Sequence, residues 1–548
     1  MDSCLALLAG IRNGTREFEG VTNETLALTG WLWDGPIALL SKDVPRDSIT
    51  AMTYEGCRKL CAGTEMNTPK AALTITTTWI FPLAILFGLP YDSLHCKKFR
   101  KTVSALSNWL GSPQTAITST IFNFDQIRKC HRQSSNGTPE DTYYVLSCFN
   151  QFTLPTEGGD SQLNGRFAKT LIYGLFRPLR DPDDDADIQY TKQLLALLAF
   201  QLRLLRRRGV VPMMLSLGTF LAAFVFSIYQ AFGATGEGVD VTALTLGLLY
   251  SWLPMLVICS IVDRNPVSSD RIQELMSRWL FNVEAVRKWK MAGADPATKI
   301  EWWKDSVPTH FKLRDFVGQG RRMHYCGLAH ATMFCVTDPK HIDDSNGLDE
   351  YDVLAQQVIE KLNGRRPGLW FSSAVRAFLL VWLQIFMSFL VAITSPTAGI
   401  GCWSGSIMLF GVLTSFSWFV SLFKKSCGPK LRIVCHTVNI TAILFLIFLT
   451  GLTQLTGAMN NCYCNTNWFA YPHSGGYMAF GAYEFIRSNY DVVAPCAVAA
   501  AVGLSVPMGF FAFEMLWWTK CKHLWKTNER DRPIPLSTLV QADMNWLQ

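Results

Sequence analysis

The sequence predicts an all-α membrane protein with about seven transmembrane helices, a lumenal or extracellular N-terminus, a cytosolic C-terminus and two sizeable cytosolic segments. Three observations carry that expectation. Of 548 residues, 49% are hydrophobic and only 17% charged, with 18 Trp and 35 Phe, which is richer in large apolar side chains than soluble domains are. Several apolar runs reach the roughly 20 residues that cross about 30 Å of hydrocarbon as helix. Lys and Arg collect at alternate ends of those runs, which sets orientation.

The runs are 71–91 ("AALTITTTWIFPLAILFGLPY"), 210–233, 241–262, 374–397, 402–423, 431–457 and 492–518. A shorter run at 194–205 ends in "RRR" and reads as a helix leading into the second span. "HCKKFRK", "RLLRRR", "KKSCGPKLR" and "KCKHLWK" mark cytosolic ends, whereas "GATGEGVD", "SPTAGIG" and 458–491 carry only Arg487. The net charge of +7 is therefore a topology signal and implies no nucleic-acid partner. No basic n-region or cleavage site marks a signal peptide before the first span.

The chain then divides into a lumenal Cys-containing head at 1–70, the first span, and a cytosolic insertion at 92–208. Spans two and three occupy 209–263, a cytosolic helical segment 264–373, spans four to seven 374–518, and a cytosolic tail 519–548. Cys57 and Cys61 of "GCRKLC" and Cys462 and Cys464 of "NNCYCN" fall on the oxidising side, where Cys4 and Cys402 could join them. Spacing leaves the pairing open. Asn13 and Asn23 are glycosylation acceptors on the same side, and Asn136 lies on the other.

Within 264–373, Ile272, Leu275, Met276, Trp279, Val283 and Val286 repeat with the period of a one-sided helix, and Asp270 with Gln273 resembles a capping box. The acidic run at 181–187 reads as a solvated loop. His324, Cys326, His330 and Cys335 in "HYCGLAHATMFC" are zinc-ligand types, but their spacing fits ordinary helix packing better than two ligand pairs. "GQGRR" at 318–322 lacks the third glycine and the preceding strand of a phosphate loop, so a solvated basic turn is the simpler reading of Arg321 and Arg322. No nucleotide, metalloprotease or kinase motif occurs. No internal repeat of the transporter kind is visible. Neither a cofactor nor a metal is expected.

The remaining candidates are polar residues in or at the ends of the spans, where an ionisable group is costly and marks function by default. Glu514 shares a helical face with Phe510, Phe511, Trp517 and Trp518; desolvation by those rings favours the neutral acid, a proton donor near neutral pH. His436 lies about one turn inside the sixth span with Asn439 on its face, and Asp263 ends the third span. All three belong toward the cytosolic ends of their helices. The competing reading has Glu514 pair with Lys520 or Lys522, Asp263 with Arg264, and His436 serve as an interhelical polar contact.

"YEGCRKLC", "CSIVDRNPVSSDR", "DFVGQGRR" and "NCYCN", in that order along the whole chain, resemble a group of fungal polytopic membrane proteins. Some such proteins belong to secondary-metabolite clusters, and the chain is similar to the membrane terpene cyclases of the ascofuranone kind. That resemblance implies acid-initiated opening of an epoxide on a farnesyl-derived meroterpenoid and capture of the cation by an oxygen nucleophile. It matches no motif to catalytic positions. "DDDAD" at 183–187 departs from the metal-binding DDxxD of soluble terpene cyclases. The implied partners are a lipid-soluble prenylated small molecule and other enzymes of its pathway, in an endoplasmic reticulum, other endomembrane or plasma membrane setting. Glu514 fits the acid, with His436 and Asp263 as assisting groups. A receptor-like, transport or scaffold protein is the alternative function.

Overall fold

The computed structural model describes residues 2–35, 37, 50–61, 103–104, 107–134, 140–150, 152, 161–180, 186–206, 210–232, 241–255, 269–293, 299–303, 313, 327–337, 350–364, 366–395, 399–423, 429–459, 461–466, 476–480 and 490–520. It is mostly helical. Three of its helices are long and apolar enough to cross a membrane, within Glu350–Thr394, Cys402–Phe423 and Lys430–Leu452. The first expected span, 71–91, lies outside the described residues.

The head consists of α1 (Asp2–Arg12), β1 (Thr50–Thr53) and α2 (Tyr54–Leu60), and β1 pairs antiparallel with β2 (Tyr477–Phe480). The Thr53 hydroxyl caps α2 by accepting from the Gly56 N–H, and Leu8, Ile11, Met52, Cys57 and Met478 close a small core. Disulfides join Cys57 to Cys462 and Cys402 to Cys464, and Cys61 is also disulfide-bonded. The head, the 461–480 segment and the start of the helix at Cys402 are thus clasped together. That shared set of cystines agrees with their expected placement on one side. Asn13 and Asn23 are both exposed there.

The bundle is built around α12 (Gly368–Thr394), which packs on α8 (Val241–Tyr250), α13 (Cys402–Phe423) and α15 (Tyr490–Lys520). Beyond these, α7 (Val210–Phe232) lies on α8, and α14 (Pro429–Ile447) lies on α13. Phe224, Leu248, Trp252, Val381, Ile385 and Phe410 fill the core, while Leu379, Phe386, Phe419 and Leu444 remain exposed. An apolar exterior of this extent needs a nonaqueous neighbour, as a lipid-facing bundle has. The expected span 241–262 is interrupted in its described part. α8 stops at Tyr250, and Pro254 has no N–H to continue the ladder; the Ser251 N–H instead reaches back to the Leu248 carbonyl. Tyr250 donates to Thr450, which lies in a π-turn at Phe448–Leu452 that prolongs α14.

A second core belongs to a helical domain. α4 (Glu140–Phe149), α5 (Ser161–Arg180), α6 (Ala186–Arg206), α9 (Ser269–Met291), α10 (Leu328–Thr337) and α11 (Glu350–Asn363) pack around Phe149, Phe167, Leu171, Trp279 and Val358. The periodic face of α9 is as expected: Ile272, Met276, Trp279, Val283 and Val286 are buried and Leu275 packs beside them. The Gln273 amide donates to the Leu313 carbonyl, and the Asp270 side chain of the expected capping box lies outside the described ones.

Two helices contribute to both cores: α15, with Ala499 in the bundle core and Trp517 in the domain core, and α3, with a larger share of each. α3 (Pro113–Ser134) buries Ala116, Ile117 and Ile121 in the bundle core and Phe124, Ile127 and Cys130 in the domain core. It packs on α12 and α13 at one end and on α4 at the other. A stretch expected within a polar insertion is thereby among the most enclosed parts of the molecule.

Candidate functional site

One cluster of the bundle's buried polar groups lies where α3, and the turn of helix before it, meet α12, α13 and α14. Gln114, fully buried, donates through Nε2 to Thr414 Oγ1 at 3.2 Å and Ser415 Oγ at 3.3 Å. Trp382 of α12 also donates to Ser415, at 2.9 Å. One turn further along α13, Ser417 donates to Asn439 Oδ1 at 2.6 Å, and Asn439 Nδ2 donates to Asn108 at 3.2 Å. The helices approach closely here: a Cβ on Gly111 would fall 2.4 Å from the Asn439 carbonyl oxygen. Every group in this seam is neutral, which limits the cost of withdrawing it from water. Among the described residues, the Gln114 Oε1 has no hydrogen-bond partner.

His436 sits at the edge of the seam. Its ring is exposed, and Nδ1 lies 3.3 Å from Ser107 Oγ. Asp263 lies outside the described residues. Glu514 is on α15, but its side chain lies outside the described ones. In packing order the helices run α15, α12, α13, α14, so the helix of Glu514 and that of His436 are on different neighbours of the central pair.

The surroundings of α15 are informative one turn beyond Glu514. Trp517 is buried, and its ring centre is 4.2 Å from that of Phe124 on α3. Next to Phe124, Asp125 accepts from Arg376 Nη2 at 2.5 Å and from the Ser373 hydroxyl at 3.4 Å. Arg376 is the single charged residue of α12. This ion pair at the meeting of the two cores was missed from sequence because Asp125 lies outside every apolar run. The isolated arginine in the fourth run was the available signal.

The helical domain handles charge differently. Glu284 on α9 accepts from Arg287 at 2.8 and 2.9 Å, from Arg166 at 2.9 Å and from Thr170 at 2.8 Å. Burial pushes its carboxyl upward, but these donors and charges outweigh burial and hold it below the usual carboxylate range. Asp187 accepts from Tyr173 at 2.7 Å and lies 3.4 Å from Arg177 and 3.3 Å from Lys290. Here too burial is outweighed, by the Tyr173 hydroxyl and the two cations, and the carboxyl is lowered. Asp187 closes the acidic run expected as a solvated loop, yet it is 1% exposed. Cations of α5 and α9 supply the neutralisation that sequence order hides; residues 181–185 lie outside the described ones.

Of the possible zinc ligands, His324 and Cys326 lie outside the described residues, as do Arg321 and Arg322. Cys335 is buried, and desolvation pushes its thiol up to about 11, with Lys361 opposing and Glu360 assisting. His330 is lowered to about 4 by burial and by the charges of Lys129 and Lys361. The charges of Lys129 and Lys361 beside His330 oppose a further cation there. The sulfurs of Cys57, Cys61 and Cys462 also lie within 4.8 Å of one another, but the Cys57–Cys462 disulfide occupies two of them.

Comparison with known proteins adds no relative: no family model, no curated protein and no solved structure matches the chain.

Proposed function

We propose that the chain is an integral membrane terpene cyclase that opens and cyclises a prenylated, meroterpenoid epoxide, with Glu514 as the proton donor. The observation that supports this most directly is the buried Trp517–Phe124 pair one helical turn beyond Glu514, since aromatic faces stabilise a cation. In this reading the carboxyl proton passes to the epoxide oxygen as its C–O bond breaks. An oxygen nucleophile of the same substrate molecule then attacks the carbon cation, and its proton returns, directly or through an assisting group, to the Glu514 carboxylate, so the product is an isomer of the substrate and the acid is regenerated. His436 and Asp263 are assisting groups in the proposal. The seven-span order, with a lumenal head and cytosolic tail in an endomembrane of a fungal secondary pathway, is part of the same reading.

The experiment is product analysis of microsomes carrying the native chain or Glu514→Gln at matched expression, supplied with a farnesyl-derived aryl epoxide. A ring-closed isomer from the native protein, reduced at least a hundredfold in the variant, supports the assignment. Equal product from both removes Glu514 from the chemistry, and no conversion by either removes the cyclase reading.

A second reading, a non-enzymatic receptor-like or organising protein, is favoured by α3, which is a physical link between bundle and helical domain. It predicts no turnover, with Glu514→Gln altering only stability or assembly.

A further inference from the structure

The histidine of "HYCGLAHATMFC" stands in a setting that suits an anion. His330 and Phe334 share a face of α10 at a spacing of four residues. Lys361 of α11 places Nζ 3.8 Å from the centre of the Phe334 ring, which orients its charge. Lys129 of α3 adjoins Cys130, whose sulfur lies 3.7 Å from that of Met333 on α10. Three helices thus bring two ammonium groups and an imidazole to one patch. Both lysines are exposed, and among the described residues neither forms an ion pair. The adjacent acid, Glu360, bears on Cys335 on the same helix as His330.

The position of the patch narrows the ligand. Lys361 stands shortly before α12 enters the bundle at Gly368. Lys129 is little more than one turn past Phe124, which touches Trp517 near the end of α15 at Lys520. The patch therefore borders the level at which the bundle gives way to the helical domain. We propose that Lys129, Lys361 and His330 form a site for a phosphomonoester, supplied by an anionic lipid or by a soluble phosphate. The lysines contribute point charges and the imidazole a hydrogen bond.

The test uses the full chain in nanodiscs and reads its melting temperature and the lipid retained in native mass spectra. Phosphatidic acid in a phosphatidylcholine disc probes the lipid source, inorganic phosphate added to a pure phosphatidylcholine disc probes the soluble source, and phosphatidylglycerol at equal charge controls for a general anionic field. Stabilisation by phosphatidic acid or by inorganic phosphate is expected, with binding about fivefold weaker for each lysine changed to Gln and roughly thirtyfold weaker for Lys129→Gln/Lys361→Gln. The double variant must melt like the native chain in pure phosphatidylcholine, since both side chains are exposed. The site is refuted if neither phosphate source stabilises the protein, if phosphatidylglycerol matches phosphatidic acid, or if the double variant responds as the native chain does.

Discussion

The bundle and the helical domain both bury polar side chains, but they neutralise them by different means. In the bundle, Gln114, Ser415, Ser417 and Asn439 are uncharged amides and hydroxyls that bond one another across helices. In the domain, Glu284 and Asp187 are carboxylates held by cations, Glu284 by Arg287 of its own helix and Arg166 of α5, Asp187 by Arg177 of α5 and Lys290 of α9. The difference follows desolvation cost: a neutral group forfeits a few hydrogen bonds to water, whereas an ion loses several kcal/mol unless its partners are well placed. Asp125 and Arg376, where the cores meet, are a charged pair at the boundary, with Arg376 still 46% exposed.

The largest effect is expected from breaking the domain's rule. Glu284→Ala leaves Arg287 and Arg166 facing a buried gap and should cost about 3 kcal/mol or more, seen as a lower melting temperature by tryptophan fluorescence. If the cost is under about 1 kcal/mol, the cations find water and the contrast with the bundle fails. Gly111→Ala tests the close approach of the bundle seam. Steric conflict with the Asn439 carbonyl should cost about 1–3 kcal/mol, and a neutral outcome would mean that the helices are farther apart. Asn439→Leu should cost only about 1 kcal/mol, because neutral interhelical hydrogen bonds in membranes are individually weak.

Acid sharpens the comparison further. Glu284 and Asp187 have lowered carboxyl pKa values, so their stabilisation is full above the unfolded value near about 4 and disappears as pH falls through the lower folded values. The helical domain should therefore open on acidification before the seam of amides and hydroxyls responds. Hydrogen exchange resolved by segment, between pH 5 and pH 2 or so, reads the order; simultaneous opening of both regions would show that α3 couples them into one unit.

Much of the helical architecture was legible because periodicity and burial coincide, as on α9 with Ile272, Met276 and Val283. The cystine clasp was half legible: the sequence placed Cys57, Cys402, Cys462 and Cys464 on one side, but pairing depends on three-dimensional proximity. α3 was not legible as a shared helix, because Gln114, Thr118, Asn123 and Gln126 look like a water-facing pattern and are buried. The overlooked signal is that residues 102–124 contain no charge at all. The candidate acid Glu514 was found from its cost inside an apolar run; Asp125 was not, since its significance comes from Arg376, distant in sequence.

The clasp between the head and the far end of the chain also sets an order of assembly. Cys57 and Cys462 are 405 residues apart, and β1 pairs with a strand still later in the sequence. During synthesis the head must wait, its cysteines reduced or provisionally paired, until nearly every other helix has emerged. Closure of this cystine consequently requires synthesis at least as far as Cys462, and a product truncated before that point leaves Cys57 without this partner.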